Sequence, residues 1–208
     1  MRARRILGAL GLLAAIALAW RVASRRRALP CPVGLSWWLE SSLADRLAGT
    51  RATLDRIGLR PGQRVLEVGP GPGRLLIPAA RRVLPGGEVV GQDLQPGMIE
   101  RLEARAAREG LTNLTAVVGD ATAATFPPES FDVVYLCTVL GEIRDREAAL
   151  RECYRVLKPG GTLSVTEILP DPHYQPRATV QELAGAAGFR PTAVYRGWNR
   201  YTANFTRP

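Results

Sequence analysis

The apolar positions of this chain change their period several times, and the changes mark out its elements. Ile6 to Trp20 (ILGALGLLAAIALAW) is an unbroken apolar run without a charge, and Val22 and Ala23 extend it past Arg21. Residues 37–57 have apolar positions at helical spacing, which predicts one or two helices before the first strand. Leu59-Arg60-Pro61-Gly62 predicts a turn. Short runs rich in Val, Leu and Ile follow at 64–69, 88–94, 114–121, 131–140 and 162–169, and each predicts a buried strand. The segments between them predict helices over 74–84 (despite Pro78), 96–109 and 146–157. Pro85-Gly86-Gly87, Gly110 and the KPGG of 158–161 end those helices. A short helix over 179–187 stops at Gly188, and 192–197 and 201–207 predict two last strands joined by a tight turn.

Strands alternating with helices predict an α/β fold. The expected architecture is a Rossmann-like, seven-stranded, mostly parallel sheet with helices on both faces and an antiparallel C-terminal edge hairpin. In such sheets a ligand lies outside the carboxyl ends of the strands. The chain divides into an N-terminal hydrophobic helix with basic flanks (1–27), a linker (28–36) in which Pro30 and Pro32 block a continuous helix, and one folded domain (37–208).

The net charge of +9 suggests nucleic-acid binding until its distribution is considered. Residues 1–27 hold seven of the 28 basic residues and no acid. The rest sets 21 basic residues against all 19 acidic ones, so the folded body is nearly neutral and no broad phosphate-binding face is expected. The apolar run fits three roles: a retained membrane anchor, a signal peptide cleaved near Ala17 and Ala19, or a helix packed on a partner. As a helix of ~26 Å it nearly matches the ~30 Å hydrocarbon core, and it is apolar all round. A retained anchor is expected, with the domain on the cytoplasmic side and the arginines near anionic headgroups. Trp37 and Trp38 suit either the lipid interface or the domain's core. Cys31, Cys137 and Cys153 are odd in number and form no CxxC, so neither a disulfide framework nor a zinc site is expected.

The strongest local signal is Glu67-Val68-Gly69-Pro70-Gly71-Pro72-Gly73, which leaves a strand and opens a helix. Its glycines permit a tight turn and close approach by a ligand. The pattern is GxGxG, not the dinucleotide GxGxxG, and its two prolines remove donors that a pyrophosphate needs. Asp93 ends the second strand, where a carboxylate accepts hydrogen bonds from both hydroxyls of a ribose. Gly119-Asp120-Ala121 ends the third, where Asp120 suits an adenine amino group. Either aspartate suits a cap or turn equally well when taken alone.

Together with FDVV (131–134) and LKPGG (157–161), these features make the chain resemble the class I S-adenosylmethionine (SAM)-dependent methyltransferases, in their small-molecule, quinone and lipid branch. The resemblance covers about residues 58–190. It implies that the loop from Glu67 through Gly69, Pro70 and Gly71 to Gly73 holds the methionine part of SAM. It also implies that Asp93 binds the ribose, that Leu94 and Met98 pack on the adenine, and that Asp120 and Ala121 meet its edge. The backbone near Cys137 and Thr138 would stand beside the sulfonium.

Methyl transfer from a sulfonium is a displacement that depends on in-line positioning and exclusion of water. A base is needed only for a protonated nucleophile. The candidates after the fourth and fifth strands are His173, Glu142 and Tyr174, with Glu167 and, more weakly, Tyr201. Each has an equally simple structural role as a helix start, a loop hydrogen bond or a core residue. No HExxH or similar ligand cluster suggests a metal. TVLGEI after the fourth strand lacks the Asn/Asp-Pro-Pro-aromatic motif of methyltransferases that act on nucleobase or glutamine nitrogens. The expected acceptor is therefore a small hydrophobic or lipid-like molecule. The rival readings are an NAD(P)-dependent oxidoreductase on a similar fold and a non-catalytic methyltransferase-like scaffold.

Overall fold

The structure, a computed structural model, describes residues 33–35, 49–169 and 171–208. The apolar run, its basic flanks, most of the linker, the two tryptophans and the first part of the 37–57 helical segment lie outside the described residues. Among the described residues no helix is long and apolar enough to cross a membrane.

Seven strands form one sheet in the order β3-β2-β1-β4-β5-β7-β6. They are β1 (Arg64–Val68), β2 (Glu88–Asp93), β3 (Leu114–Val118), β4 (Phe131–Cys137), β5 (Leu157–Ile168), β6 (Arg190–Arg196) and β7 (Arg200–Thr206). The first five run parallel, and β7 is antiparallel to both of its neighbours, β5 and β6. The C-terminal hairpin is therefore present, but its reversed strand is inserted beside β5 and β6 is the outermost. Among the described residues, α1 (Thr50–Ile57) precedes the sheet, and four α-helices join its strands: α2 (Leu76–Arg82), α3 (Pro96–Arg108), α4 (Arg146–Val156) and α5 (Arg177–Ala186).

The strands are apolar on both faces because both faces are covered. Period-2 alternation sends Val65, Val133 and Tyr135 to one side, against Leu54 of α1, Leu76 of α2 and Leu102 of α3. It sends Leu66, Val134 and Leu136 to the other, against Leu150 and Val156 of α4 and Val180 of α5. Burying each such side chain contributes roughly 1.5–3 kcal/mol.

Pro78 does not break α2. It is the third residue of that helix, and the bonds on either side of it, Ile77 N–H to the Gly73 carbonyl at 3.1 Å and Ala79 N–H to the Leu75 carbonyl at 2.9 Å, carry the turn past it. Several boundaries move from their expected places; β3 ends at Val118, three residues early, and two others have a visible cause. β4 stops at Cys137, three residues early, because Thr138 turns to φ 58°. β5 begins at Leu157, five residues early, because the KPGG stretch pairs with its neighbours: Gly160 N–H donates to the Arg207 carbonyl at 2.8 Å and Arg207 N–H to the Gly161 carbonyl at 3.0 Å.

Candidate functional site

The carboxyl ends of β1 to β4 open on one cavity of about 440 Å³, within the ~300–1,000 Å³ usual for small-molecule sites. Glu67, Gly69, Pro70, Gly71, Asp93, Leu94, Met98, Asp120, Ala121, Cys137 and Thr138 all line it, so the three separate sequence signals meet at one place.

The loop after β1 gains its shape from glycine. Gly69 (φ 70°) donates its N–H to the Gln92 carbonyl of β2 at 2.8 Å, and a Cβ there would lie 2.6 Å from a methyl of Val139. Gly71 (φ 53°) faces open space, with nothing within 4 Å of an added Cβ, which leaves its backbone bare to a ligand. Gly73 is different. It does not line the cavity, and a Cβ there would meet Leu102 and Ile77, so it serves the packing of α2 and α3 and not the ligand.

Asp93 holds the loop and faces the cavity. One carboxylate oxygen accepts from Gly71 N–H at 3.0 Å and the other from Gln95 N–H at 2.9 Å. Each oxygen keeps a lone pair for a ligand hydroxyl. Burial raises its pKa, opposed by those backbone donors. Asp120 takes both the N–H and the hydroxyl of Thr122 on one oxygen, each at 2.8 Å, while Gln92 Nε2 donates to its carbonyl at 2.9 Å. Gln92 and Thr122 are wall residues that sequence motifs did not single out. Gln92 lies on a strand, so only its place one residue before Asp93 could have flagged it.

A buried polar group lies under the loop. Glu67 is 3% exposed and accepts the Tyr135 hydroxyl at 2.7 Å. Burial pushes its carboxyl up to about 8, against the lowering effects of Tyr135 and Arg74. Arg74 reaches the Cys137 sulfur at 3.5 Å and the Thr50 hydroxyl at 3.1 Å. Burial also raises the pKa of the Cys137 thiol. Around the cavity stand five carboxyl groups besides the buried, protonated Glu67 (Asp93, Asp120, Glu142, Asp145, Asp171) and two guanidinium groups (Arg74, Arg144). That balance attracts a cationic ligand and repels a pyrophosphate. Two hydroxyl-accepting carboxylate oxygens, a bare glycine turn and an acidic wall together fit an adenosine that carries a sulfonium and an ammonium.

The far wall is built after β4. Thr138 is β-branched and sits at positive φ, a rarely populated conformation, held by its N–H to the Thr166 carbonyl at 2.9 Å. The 3-10 turn Leu140–Glu142 follows, fixed by Arg146, whose guanidinium donates to the carbonyls of Leu140 at 3.2 Å and Gly141 at 3.3 Å. Glu142 lines the cavity together with Ile143 and Asp171.

The other candidate bases stand elsewhere. His173 and Tyr174 do not line the cavity. His173 is buried: its N–H donates to Asp171 at 2.7 Å and its carbonyl accepts from Gln175 Nε2 at 2.7 Å. Tyr174 packs edge-on against Tyr201. The Tyr201 hydroxyl donates to the Gln175 carbonyl at 2.7 Å, and Glu167 accepts the Gln175 N–H at 3.2 Å. Burial pushes the Glu167 carboxyl up to about 8. These four residues shape the 171–175 loop, while Asp171, not a candidate from sequence, is the residue of that loop on the wall.

Residues 65–161 match the family model described as a methyltransferase domain. Nocamycin O-methyltransferase of Saccharothrix syringae is 38% identical over 141 residues, covering 62% of this chain and 50% of that protein. A ubiquinone/menaquinone biosynthesis C-methyltransferase of Pectobacterium carotovorum is 37% identical over 118 residues, covering 56% and 47%. The chain thus spans about half the length of these curated relatives. A SAM-dependent methyltransferase from Aquifex aeolicus shares the fold with a TM-score of 0.81 at 21% identity, covering 86% of this chain and 100% of that one. The cofactor of this group is SAM, which the cavity's donor set fits. Residues 65–161, which contain these strand tips, are thus a methyltransferase domain, and the matches support the class I SAM-dependent kind.

Proposed function

We propose that this chain transfers a methyl group from SAM to a small hydrophobic acceptor, of phenol, quinol or lipid-like chemistry. The observation that carries the reading is the convergence of Gly69, Gly71, Asp93 and Asp120 on one acidic cavity whose wall also includes Val139, Glu142 and Ile143. The relatives' names point the same way, toward nocamycin and toward ubiquinone and menaquinone biosynthesis.

When bound, SAM supplies an electrophilic methyl on its sulfonium. The chain's own residues supply position and environment. Asp93 orients the ribose and, through Gly71 N–H, the loop beneath it. Asp120 and Ala121 bound the adenine side, with Leu94 and Met98 as its apolar walls. Cys137 ends β4 next to the reacting centre, and the bend at Thr138 just after it turns the chain to face the acceptor. Val139 and Ile143 exclude water there. Glu142 is the carboxylate placed to take a proton from an acceptor hydroxyl, because it lines the cavity where His173 and Tyr174 do not. An NAD(P)-dependent activity is disfavoured by the acidic balance of the wall, five carboxyl groups besides Glu67 against two guanidinium groups.

Residues 1–27 are assigned to membrane attachment, with the domain on the side that contains SAM. The apolar run and its arginines support that reading. The test is incubation of the full chain with methyl-labelled SAM and a panel of phenols and hydroquinones, with and without isoprenoid tails, followed by mass spectrometry. A labelled product that disappears in Asp93→Ala supports the function. SAM binding without transfer to any acceptor class would favour the scaffold reading.

A further inference from the structure

The β6–β7 hairpin is the most exposed aromatic feature among the described residues. At its tip, Trp198 is 93% exposed, and Tyr195 beside it is 43% exposed. Leu169, also 43% exposed, is tied to the tip by its N–H to the Asn199 carbonyl at 2.7 Å and by Asn199 Nδ2 to its own carbonyl at 3.2 Å. The turn itself is closed by Gly197 N–H to the Arg200 carbonyl at 2.8 Å, so Trp198 is presented on a defined bend. An indole left almost wholly in water forgoes most of the ~1.5–3 kcal/mol that burial of a large apolar side chain brings. With Tyr195 and Leu169 beside it, the tip presents an exposed apolar group, the kind of surface that marks an interaction site.

Charge and position identify that partner. The last acidic residue of the chain is Glu182, and the 26 residues after it contain Arg190, Arg196, Arg200 and Arg207. Arg207 pairs with Glu129 at 2.8 Å. Arg190 and Arg196 are exposed on β6. The register Ile168↔Arg200 puts the hairpin tip at the carboxyl end of β5, the same end of the sheet as Cys137 and the cavity. With neighbouring strands ~4.8 Å apart, the tip lies on the order of 10–15 Å along that edge from β4. At the tip, Trp198 and Tyr195 stand beside Arg196 and Arg200, with Arg190 at the other end of β6, and the hairpin contains no acid; that is the chemistry of the interface of an anionic bilayer.

We propose that the hairpin tip, through Trp198, Leu169 and Arg196, is a docking surface for an anionic lipid bilayer. Docking there brings the end of the sheet that carries the cavity close to a membrane that holds a hydrophobic acceptor. This surface is separate from residues 1–27 and stands on its own observations, whatever the acceptor proves to be.

The test uses the full chain with Trp20, Trp37 and Trp38 replaced by Phe, which leaves Trp198 the sole tryptophan. SAM titration on the same sample checks that the domain is folded, and it judges the methyltransferase reading separately. With vesicles of phosphatidylcholine and phosphatidylglycerol, Trp198 emission is expected to shift to the blue and to be quenched by brominated acyl chains. The shift should shrink severalfold in pure phosphatidylcholine, and again in Arg196→Glu with the anionic vesicles. Emission that stays water-like and unquenched on vesicle-bound protein overturns the proposal and assigns the tip to a protein partner instead. Failure of any vesicle to alter Trp198 overturns it as well.

Discussion

Replacing Glu67 by glutamine isolates the effect of the buried carboxyl beneath the cofactor loop. In an unfolded chain a glutamate titrates near 4.5, whereas in this fold burial pushes Glu67 up to about 8. Between those two values the folded protein retains a proton that the unfolded chain releases. Stability is therefore full below 4.5, falls as pH rises through the window, and levels off above 8. At ~1.4 kcal/mol per pH unit, the cost reaches roughly 3 kcal/mol by neutral pH. Glu67→Gln keeps an oxygen for the Tyr135 hydroxyl, now 2.7 Å away, and cannot ionise. The variant should match the parent within ~1 kcal/mol at about pH 5 and exceed it by roughly 3 kcal/mol at neutral pH. Urea unfolding of both proteins across that range measures the difference. Glu167 is also raised to about 8, so both proteins share its contribution to the pH profile. Profiles that stay parallel from pH 5 to pH 8 would refute the reasoning.

Other substitutions probe the cavity's wall and its strained turn. Asp93→Ala should weaken SAM binding by ~1–3 kcal/mol, or about 5- to 150-fold in Kd, because the Gly71 and Gln95 amides and a ribose hydroxyl lose their acceptor; calorimetry reads it, and an unchanged Kd removes the assigned role. Gly69→Ala forces a side chain to φ 70° against Val139, so it should lower stability by ~1–3 kcal/mol in urea unfolding and weaken SAM binding. Thr138→Gly relieves a β-branched residue at φ 58° and should raise the urea midpoint by the equivalent of about 1 kcal/mol. A lowered midpoint would show that Thr138 Oγ1, which donates to the Cys137 carbonyl at 2.6 Å, outweighs the strain.

The fold was legible where one residue's surroundings depend mainly on its own segment. The centres of the runs that became β1, β2 and β4 (Val65-Leu66, Val89-Val90, Val133 to Cys137) are apolar at consecutive positions because helices cover both faces, and that leaves a signal in sequence. The strand tips were legible because turns need glycine and caps need aspartate. Features that depend on distant partners were not. The KPGG stretch looks like a helix stop, and only its bonds to Arg207 make it the start of a strand. Nothing in a threonine announces φ 58°, so β4 was expected to run through Leu140. The Glu67–Tyr135 pair spans 68 residues and has no local pattern. His173 drew attention as the chain's one histidine, a matter of residue type, whereas its place in the folded loop is set by Asp171 and Gln175. Gly73 belonged to the right motif but serves packing.

The central claim is that these strand tips form a site for a cationic adenosine cofactor. Calorimetric titration of the full chain with SAM, with NAD and NADP as comparison ligands, tests it most directly. Saturable one-to-one binding of SAM, lost or weakened in Asp93→Ala, with no heat from either dinucleotide, is the predicted result. Binding of a dinucleotide in place of SAM, or no heat from SAM with folded protein, contradicts the account.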